Sequence, residues 1–184
     1  AHAATLLMLA LPGSVYLYQA EELGLPEVVD LPEDALQDPT WLRSGGTDRG
    51  RDGCRVPLPW KRDGASFGFC SENARPWLPI PESWGELSRE AQRGTEGSTL
   101  ELYTRALRLR RELDALGDGS MTWLSAPTGV LFFEREPGIC CAVNLTGETV
   151  ELPASGEVLI SSGPVTADGK NLSLPSDTAV WLRA

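Results

Sequence analysis

Two short polar segments carry the residues of this chain that are best suited to hold a ligand. Residues 18–22 read Tyr-Gln-Ala-Glu-Glu, and residues 51–60 read Arg-Asp-Gly-Cys-Arg-Val-Pro-Leu-Pro-Trp. The guanidinium group of an arginine such as Arg51 is a planar fork of N–H donors that binds oxygen atoms with defined geometry. The chemistry that these residue types favour is therefore binding and positioning through hydrogen bonds.

The composition is that of an acidic globular protein. The 184 residues include 16 basic and 26 acidic side chains, which give a net charge of −10. This balance disfavours a nucleic-acid partner and an anionic membrane surface. The apolar fraction of 41% and the charged fraction of 23% are ordinary for a folded protein, and the length allows a real core.

Cysteine and histidine usage does not indicate a metal site. The chain has four cysteines, at positions 54, 70, 140 and 141, and one histidine, without any Cys-x-x-Cys spacing. We therefore expect no metal and no cofactor, and reduced thiols as in a cytoplasmic protein. The first apolar run is too short to span a bilayer and lacks the flanks of a signal peptide, so we interpret the start of the chain as the middle of a longer protein.

An apolar run followed by a turn opens the chain. Residues 3–11 are apolar on nearly every face, which predicts a buried helix, and Pro12-Gly13 ends it. Residues 15–18, Val-Tyr-Leu-Tyr, predict a short strand that is buried on both faces. Helix, turn and buried strand form one half-unit of an alternating α/β fold, and this unit needs further strands to make a sheet.

A long segment rich in proline and aromatic residues follows. Residues 25–82 lack the periodicity of a helix or a strand. Irregular segments of this length are either functional or disordered. Aromatic residues favour an ordered loop here, because disordered linkers contain few of them. These residues are Trp41, Trp60, Phe67, Phe69 and Trp77.

Two start signals predict helices after this loop. Ser83 with Glu86, and Ser98 with Glu101, have the spacing of a capping box. The second helix is predicted to end near Leu116, because leucine and alanine recur at intervals of three and four residues on one face.

From residue 118 onward the sequence predicts β structure. Short apolar runs alternate with turn dipeptides such as Pro137-Gly138 and Asp168-Gly169. This spacing predicts a small antiparallel sandwich of roughly 65 residues, with Trp123 and Trp181 in its core. The predicted strands cover residues 120–124, 130–135, 139–144, 149–152, 157–160, 172–174 and 178–182.

The order of these elements, with the two polar segments, resembles the C-terminal part of alpha-glucosidases and oligo-1,6-glucosidases of the alpha-amylase superfamily. In that family the last barrel strand commonly ends in Tyr-Gln-Gly-Glu-Glu, and the next loop carries Arg-Asp-Asn-x-Arg-Thr-Pro-x-x-Trp. Residues 18–22 differ from the first motif at Ala20. Residues 51–60 keep Arg, Asp, Arg, Pro and Trp at the same spacing and differ at Gly53 and Val56.

The resemblance implies an α+β fragment of a larger enzyme. Residues 1–117 would form the last helix-strand unit of a (β/α)8 barrel with a long loop, and residues 118–184 a C-terminal antiparallel β-sandwich domain. The enzyme would be a retaining glycoside hydrolase for alpha-glucosidic bonds of small oligosaccharides, which uses paired carboxylates about 5 Å apart. In the family these carboxylates precede the position of Ala1. No residue of this chain is therefore expected to be catalytic, and the isolated chain is expected to be inactive.

The resemblance also implies that Arg51 binds substrate in the pocket for the non-reducing glucose. Its guanidinium group would contact a sugar hydroxyl and an upstream aspartate together. The alternative is that Arg51 only pairs with a carboxylate of its own loop, Asp48 or Asp52.

Other residues of the two motifs are expected to form the pocket wall or to support it. Arg55 would connect the loop to the barrel, and Glu21 or Glu22 would hold the loop through hydrogen bonds. The ring of Trp60 matches the apolar face of a pyranose, and packing of the loop onto the barrel is the alternative for it. The residues of this group are Tyr18, Gln19, Glu21, Glu22, Asp52, Arg55 and Trp60.

Two further functions fit the same pattern. Transglycosylases such as trehalose synthases have similar loops, so both transfer and hydrolysis stay open. A non-catalytic module that binds carbohydrate or has a structural role is the third hypothesis, although the strands show no cluster of exposed aromatic residues. The expected partner is an alpha-glucoside oligosaccharide. Linkage, chain-length preference and oligomeric state stay open.

Overall fold

The computed structural model describes residues 1–183 and contains two compact units. The first unit combines Ala1–Leu17 with the residues from Leu102 onward, and the second is Tyr18–Glu101. This grouping by contact places the N-terminal segment with the C-terminal strands. The boundary between residues 117 and 118 concerns the domains of the longer protein, and it stays a prediction.

Helix α1, His2–Ala10, confirms the predicted N-terminal helix, whereas residues 15–18 do not form the predicted strand in this structure. The side chains of Leu6, Leu9 and Ala10 are fully buried. Residues 14–18 have no regular structure, and the Tyr16 side chain is 88% exposed. The physical reason is that a strand exists only when its N–H and C=O groups pair with a neighbour, and no strand among residues 1–183 pairs with this segment.

The helix predicted from Ser98 is present as α4, Thr99–Glu112, and a 3₁₀ turn at Asp114–Leu116 follows it. The hydroxyl oxygen of Ser98 accepts a hydrogen bond from the Glu101 N–H at 3.3 Å. The Glu101 carboxylate accepts from the Gly94 N–H at 2.8 Å instead of completing the capping box. The N-terminal cap of α4 is therefore only half of the predicted motif.

The α-helix predicted to start at Ser83 is wrong. Glu82–Leu87 is a 3₁₀ helix without a side-chain cap, and it is followed by the short helix α3, Arg89–Gln92. Ser88 caps α3, because its hydroxyl accepts from the Ala91 N–H at 3.2 Å. A Cβ atom on Gly85 would lie 2.5 Å from the Arg62 carbonyl oxygen. The backbone at Gly85 therefore lies too close to the backbone at Arg62 for a side chain to fit between them. One further short helix, α2, lies in the loop at Pro39–Arg43.

Eight strands make up two antiparallel sheets in the described part of the chain. The larger sheet has the order β1-β2-β3-β8-β5, and the smaller has the order β4-β7-β6. All of the strands predicted after residue 118 are present, and β6 is the addition. The strands are β1 (Met121–Trp123), β2 (Val130–Arg135), β3 (Ile139–Asn144), β4 (Val150–Leu152), β5 (Glu157–Ser161), β6 (Thr166–Ala167), β7 (Leu172–Leu174) and β8 (Thr178–Arg183).

The five-stranded sheet has a buried cluster on each face. One cluster joins the sheet to α1 and α4, and it includes Leu6, Phe133 and Trp181. The other joins it to residues of the smaller sheet, such as Leu172 and Leu174. The strands are therefore apolar in both directions, unlike those of a sheet with one face in water.

The prediction for the two tryptophans is half right. Trp181 is fully buried, and its indole N–H donates to the Leu6 carbonyl oxygen at 3.1 Å. Trp123 is 58% exposed, so its placement in the core is wrong. It lies on the edge strand β1 and contacts the buried ring of Phe133 edge-on, with ring centroids 5.4 Å apart. An edge strand has neighbours on one side only, which leaves its large side chains partly open to water.

Two arginines hold the carbonyl end of α1 on the first unit. Arg135 is fully buried and donates to the carbonyl oxygens of Ala10, Gly117, Gly119 and Ser120, at 2.7, 3.1, 2.9 and 3.3 Å. Arg110 donates to the carbonyl oxygens of Leu9, Leu11 and Gly13. Positive charge is favourable at this end of a helix, where the last C=O groups lack partners within the helix. No carboxylate pairs with either arginine among residues 1–183.

Candidate functional site

The long loop is ordered by a small apolar core of its own. Leu31, Val56, Leu78 and Trp84 are buried together within the second unit. Between residues 18 and 81 the chain forms only short helical turns around this core, which agrees with the absence of periodicity in residues 25–82. The turns are the 3₁₀ helices Glu21–Leu23, Glu33–Ala35, Asp52–Cys54 and Ala65–Gly68, together with α2.

Asp38 is the residue that ties the Arg51 segment to the preceding part of the loop. Its Oδ1 accepts from the Thr40 N–H at 2.9 Å, which caps α2. Its Oδ2 accepts from the Arg51 N–H at 3.0 Å and from Nη1 of Arg55 at 3.0 Å. We did not identify Asp38 from the sequence, although Asp-Pro-Thr is a recognisable helix start and could have indicated the cap.

The carboxylate of Asp52 supports the same segment from inside. Asp52 is fully buried, and its Oδ2 accepts from the N–H groups of Gln37 and Asp38 at 2.5 and 2.7 Å. Its Oδ1 has no hydrogen-bond partner among residues 1–183. Asp52 therefore supports the backbone of the loop and does not face an open pocket in this structure.

The two glycines beside Arg51 and Asp52 allow this close approach. A Cβ atom on Gly50 would lie 2.5 Å from Cγ of Asp38, and one on Gly53 would lie 2.5 Å from the Val28 carbonyl oxygen. Contacts this short do not occur for real Cβ atoms, so a larger residue at either position would push the packed loop segments apart. The family motif has asparagine at the position of Gly53, and here glycine suits the tight packing against Val28.

The side chain of Arg51 is exposed, while its backbone is held. Its N–H is bonded to Asp38, and its guanidinium group forms no ion pair within residues 1–183. Neither alternative partner engages it: Asp48 accepts from the Gly50 N–H at 2.9 Å, and Asp52 is buried on the backbone of residues 37–38. The structure thus presents a guanidinium group on a fixed backbone.

Arg55 has a role within the loop. Its guanidinium pairs with Asp38 at 3.0 Å, and its side chain is 38% exposed. Trp60 is 47% exposed, and its backbone N–H donates to the Phe67 carbonyl oxygen at 2.9 Å. Arg55 therefore supports the Arg51 segment, while part of the Trp60 side chain remains free to contact another group.

Residues 18–22 lie in the same unit as the Arg51 segment. The hydroxyl of Tyr18 donates to the Cys54 carbonyl oxygen at 3.4 Å, which brings the two sequence motifs together. Gln19 and Glu21 are exposed, and Glu22 is half-buried. The side-chain amide of Gln92 donates to the Leu23 carbonyl oxygen at 2.8 Å and so holds the end of this turn.

Ala20 has a left-handed backbone conformation, with φ of 74°. This is the position at which the family motif has glycine. A Cβ atom in this conformation costs about 1–2 kcal/mol relative to glycine. The departure from the motif is therefore a strained substitution that keeps the shape of the turn.

Acid titration tests the contacts of Asp38. Its pKa is held well below the ordinary range of an aspartate, because the N–H groups of Thr40 and Arg51 donate to the carboxylate and Arg55 lies beside it. Such a group stabilises the folded state above its unfolded pKa of about 3.9, and that contribution is lost as the pH falls through the folded pKa.

We predict that Asp38→Asn lowers the free energy of unfolding near neutral pH. The difference in this free energy between the variant and the wild type is expected to narrow as the pH falls below about 4. Urea denaturation at a series of pH values measures this difference. A deficit that does not change with pH would contradict the prediction.

Other kinds of site find no support in the described residues. Within residues 1–183, no group of three or more His, Cys, Asp and Glu side chains is arranged to hold a metal ion. The four cysteines in this range form no disulfide. None of the helices described has the length together with the apolarity needed to cross a bilayer.

Curated relatives of this chain are glucosidases. A probable alpha-glucosidase of Rhizobium meliloti (strain 1021) is 38% identical over 162 residues, which cover 83% of this chain and 28% of that protein. A probable oligo-1,6-glucosidase 3 of Bacillus subtilis (strain 168) is 26% identical over 88% of this chain and 33% of that protein. The chain thus spans about a third of the length of these relatives.

Solved structures show the same fold. The alpha-glucosyl transfer enzyme XgtA is 32% identical, with a TM-score of 0.77, over 98% of this chain and 35% of that chain. The isomaltulose synthase PalI of Klebsiella sp. LX3 has a TM-score of 0.79 at 22% identity, over 99% of this chain and 37% of that chain. The likeness to PalI shows the fold alone.

The first part of the chain also matches a family model. The model for the alpha-amylase catalytic domain matches residues 1–119. This range contains both sequence motifs and the loop that connects them. The chain is therefore a glucosidase-like member of the alpha-amylase family.

Proposed function

We propose that this chain is the C-terminal part of a retaining alpha-glucosidase-type glycoside hydrolase that acts on small alpha-glucoside oligosaccharides. The observation that carries the proposal is the Arg51 guanidinium, which is exposed, forms no ion pair within residues 1–183, and sits on a backbone held by Asp38. An arginine held in this way has its hydrogen-bond donors available for sugar oxygens. Its position within the family match supports the same conclusion.

The proposal includes the architecture of the longer protein. Residues 1–117 would belong to the end of a (β/α)8 barrel, and residues 118–184 would form a C-terminal β-sandwich domain. The segment 15–18 would become the last barrel strand once neighbouring strands are present. Its exposed apolar side chains support this idea, because Tyr16, Leu17 and Tyr18 are 88%, 39% and 45% exposed. The catalytic carboxylates would precede Ala1, and the free thiols fit a cytoplasmic protein.

In this proposal each residue near Arg51 has a distinct task. Arg51 donates two parallel hydrogen bonds, to a glucose hydroxyl and to an upstream aspartate. The exposed side chains of Tyr18, Gln19 and Glu21 contribute to the pocket wall. Trp60 offers an apolar face on which a pyranose ring can stack. Glu22, Asp52 and Arg55 support the wall from behind.

Transfer of the glucosyl group is the second candidate activity. It is favoured by one observation, the 32% identity to the alpha-glucosyl transfer enzyme XgtA. Hydrolysis and transfer share the covalent glycosyl-enzyme intermediate, and they differ in whether water or a second sugar resolves it. The loop residues described here act before that branch point, so they serve both reactions.

We predict that the full-length polypeptide hydrolyses a chromogenic alpha-glucoside and that the isolated 184-residue chain does not. The reason is that the chain holds binding groups without the paired carboxylates that the reaction requires. A continuous colour assay on both preparations measures this. Turnover by the pure isolated chain would contradict the proposed division of the site.

Product analysis separates the two candidate activities. With maltose or sucrose as the only sugar, a hydrolase releases monosaccharides only. A transferase also releases the leaving monosaccharide, but it forms new disaccharides or trisaccharides as well. Chromatography of the products at high substrate concentration decides between them. Absence of both kinds of product from the full-length polypeptide would refute the proposed function.

A further inference from the structure

The carboxylate of Asp38 divides its contacts between two tasks. Oδ1 caps the five-residue helix α2 through the Thr40 N–H, at 2.9 Å. Oδ2 accepts hydrogen bonds from the Arg51 N–H and from Nη1 of Arg55, each at 3.0 Å. One oxygen therefore serves the local chain, and the other connects to residues 13 and 17 positions away.

The packing around Asp38 leaves the carboxylate little freedom. Its own N–H is bonded to the buried carboxylate of Asp52 at 2.7 Å. Its side chain lies against Gly50, where a Cβ atom would come within 2.5 Å of Cγ. Only 9% of the Asp38 residue is exposed. The position of Oδ2, and with it the Arg51 N–H, is thus fixed by contacts on several sides.

We propose that Asp38 is a positioning residue that sets the direction of the Arg51 side chain through the bond from the Arg51 N–H to Oδ2. This inference rests on the proposed function, in which Arg51 binds the sugar. The φ and ψ angles at Arg51 determine where its Cβ points, and the backbone on both sides of it is held by Asp38 and Asp52. Asp38 itself does not contact substrate in this account.

A purely local role for Asp38 gives different expectations. If Asp38 only caps α2, the Asp38→Ser variant should behave like the wild type, because serine is an equally good N-cap residue. The serine hydroxyl is one bond shorter than the carboxylate and has a single oxygen. It therefore keeps the Thr40 contact and loses the contacts with Arg51 and Arg55. Asp38→Ser thus separates capping from positioning.

The kinetic test is a double-mutant cycle in the full-length polypeptide. We expect Asp38→Ser to lower kcat/KM for a small alpha-glucoside by about 10- to 100-fold, the usual cost of misplacing a binding group. In the Arg51→Ala background the same change is expected to have less than about a twofold effect, because the residue through which it acts is gone. Equal effects in both backgrounds, or wild-type kinetics of Asp38→Ser, would overturn the proposal.

Hydrogen exchange tests the same proposal without any activity. In the full-length polypeptide, Asp38→Ser is expected to speed exchange at the Arg51 amide by about tenfold, which corresponds to the loss of one charge-assisted hydrogen bond. The exposed Asp34→Ala is the matched control in the same segment and is expected to change nothing. Unchanged exchange at Arg51 in Asp38→Ser would refute the positioning role even if the enzyme proves to have another activity.

A second variant covers failure of Asp38→Ser to fold. Asp38→Asn keeps the size of the side chain, and its single carbonyl oxygen can accept from Thr40 or from Arg51 but not replace both carboxylate oxygens. We expect faster Arg51 amide exchange and a smaller loss of kcat/KM than in the serine variant. Wild-type values for both quantities would again overturn the proposal. An inactive wild type with the expected exchange result would refute the proposed function and leave the positioning contact supported.

Discussion

Replacement of Arg51 by alanine is expected to lower kcat/KM of the full-length polypeptide for small alpha-glucosides by about 100-fold or more. The expectation follows from the geometry of the loop: the Arg51 backbone is bonded to Asp38, its neighbour Asp52 is buried, and its guanidinium group has no ion pair within residues 1–183. Truncation would remove the donors and leave the surrounding loop intact. Steady-state kinetics with a chromogenic glucoside measures the loss.

Two controls sharpen this prediction. Arg51→Lys keeps the charge and loses the planar fork, so we expect it to recover only part of the activity. Arg43→Ala removes an exposed arginine from the end of α2 in the same loop and is expected to leave the kinetics unchanged. Near-normal kinetics of Arg51→Ala would refute the substrate-binding role, and a comparable loss in Arg43→Ala would show that charge in general, not the Arg51 contact, is responsible.

Arg135→Met is expected to destabilise the protein by about 3–5 kcal/mol. Arg135 is fully buried and satisfies four backbone carbonyl groups, including that of Ala10 at the end of α1. Methionine fills a similar volume and donates no hydrogen bond, so several buried carbonyl groups would lose their partners. Urea denaturation of the full-length polypeptide, with thermal unfolding as a second measurement, tests this.

The matched control for Arg135 is Arg183, also in the larger sheet. Arg183 pairs with Glu157 at 3.4 Å, and both side chains are at least half exposed. Such a surface pair contributes about 0–1 kcal/mol, so Arg183→Ala is expected to have a small effect. Equal destabilisation by the two changes would contradict the account of Arg135 as a buried donor to the end of α1.

The C-terminal strands could be predicted from sequence because their signals are local. Alternation of apolar residues and turn dipeptides such as Pro137-Gly138 identified β2 and β3 to the residue. The segment 15–18 has an equally apolar composition, but a strand also needs partners, and none of residues 1–183 supplies them. The helix predicted from Ser83 failed for a related reason: Gly85 approaches the Arg62 carbonyl oxygen, a contact that no local pattern reveals.

The candidate site was accessible from sequence only in part. The motif identified Arg51 and its neighbours, and the exposed placement of Arg51 is compatible with the role inferred for it. The contribution of Asp38 was missed, because its contact with the Arg51 N–H joins residues 13 apart in an irregular loop. For Asp52 the sequence left three roles open, a partner of Arg51, a part of the pocket wall or a support behind it, and its complete burial on the loop backbone is what the structure adds.

The central claim is that Arg51 contacts the sugar, and a crystal structure of the full-length polypeptide with bound glucose tests it most directly. We predict that the distance from a guanidinium nitrogen of Arg51 to a glucose hydroxyl oxygen is about 3 Å, the length of a hydrogen bond. A structure in which glucose occupies the pocket while the Arg51 side chain points into solvent, far from the ligand, would contradict the account.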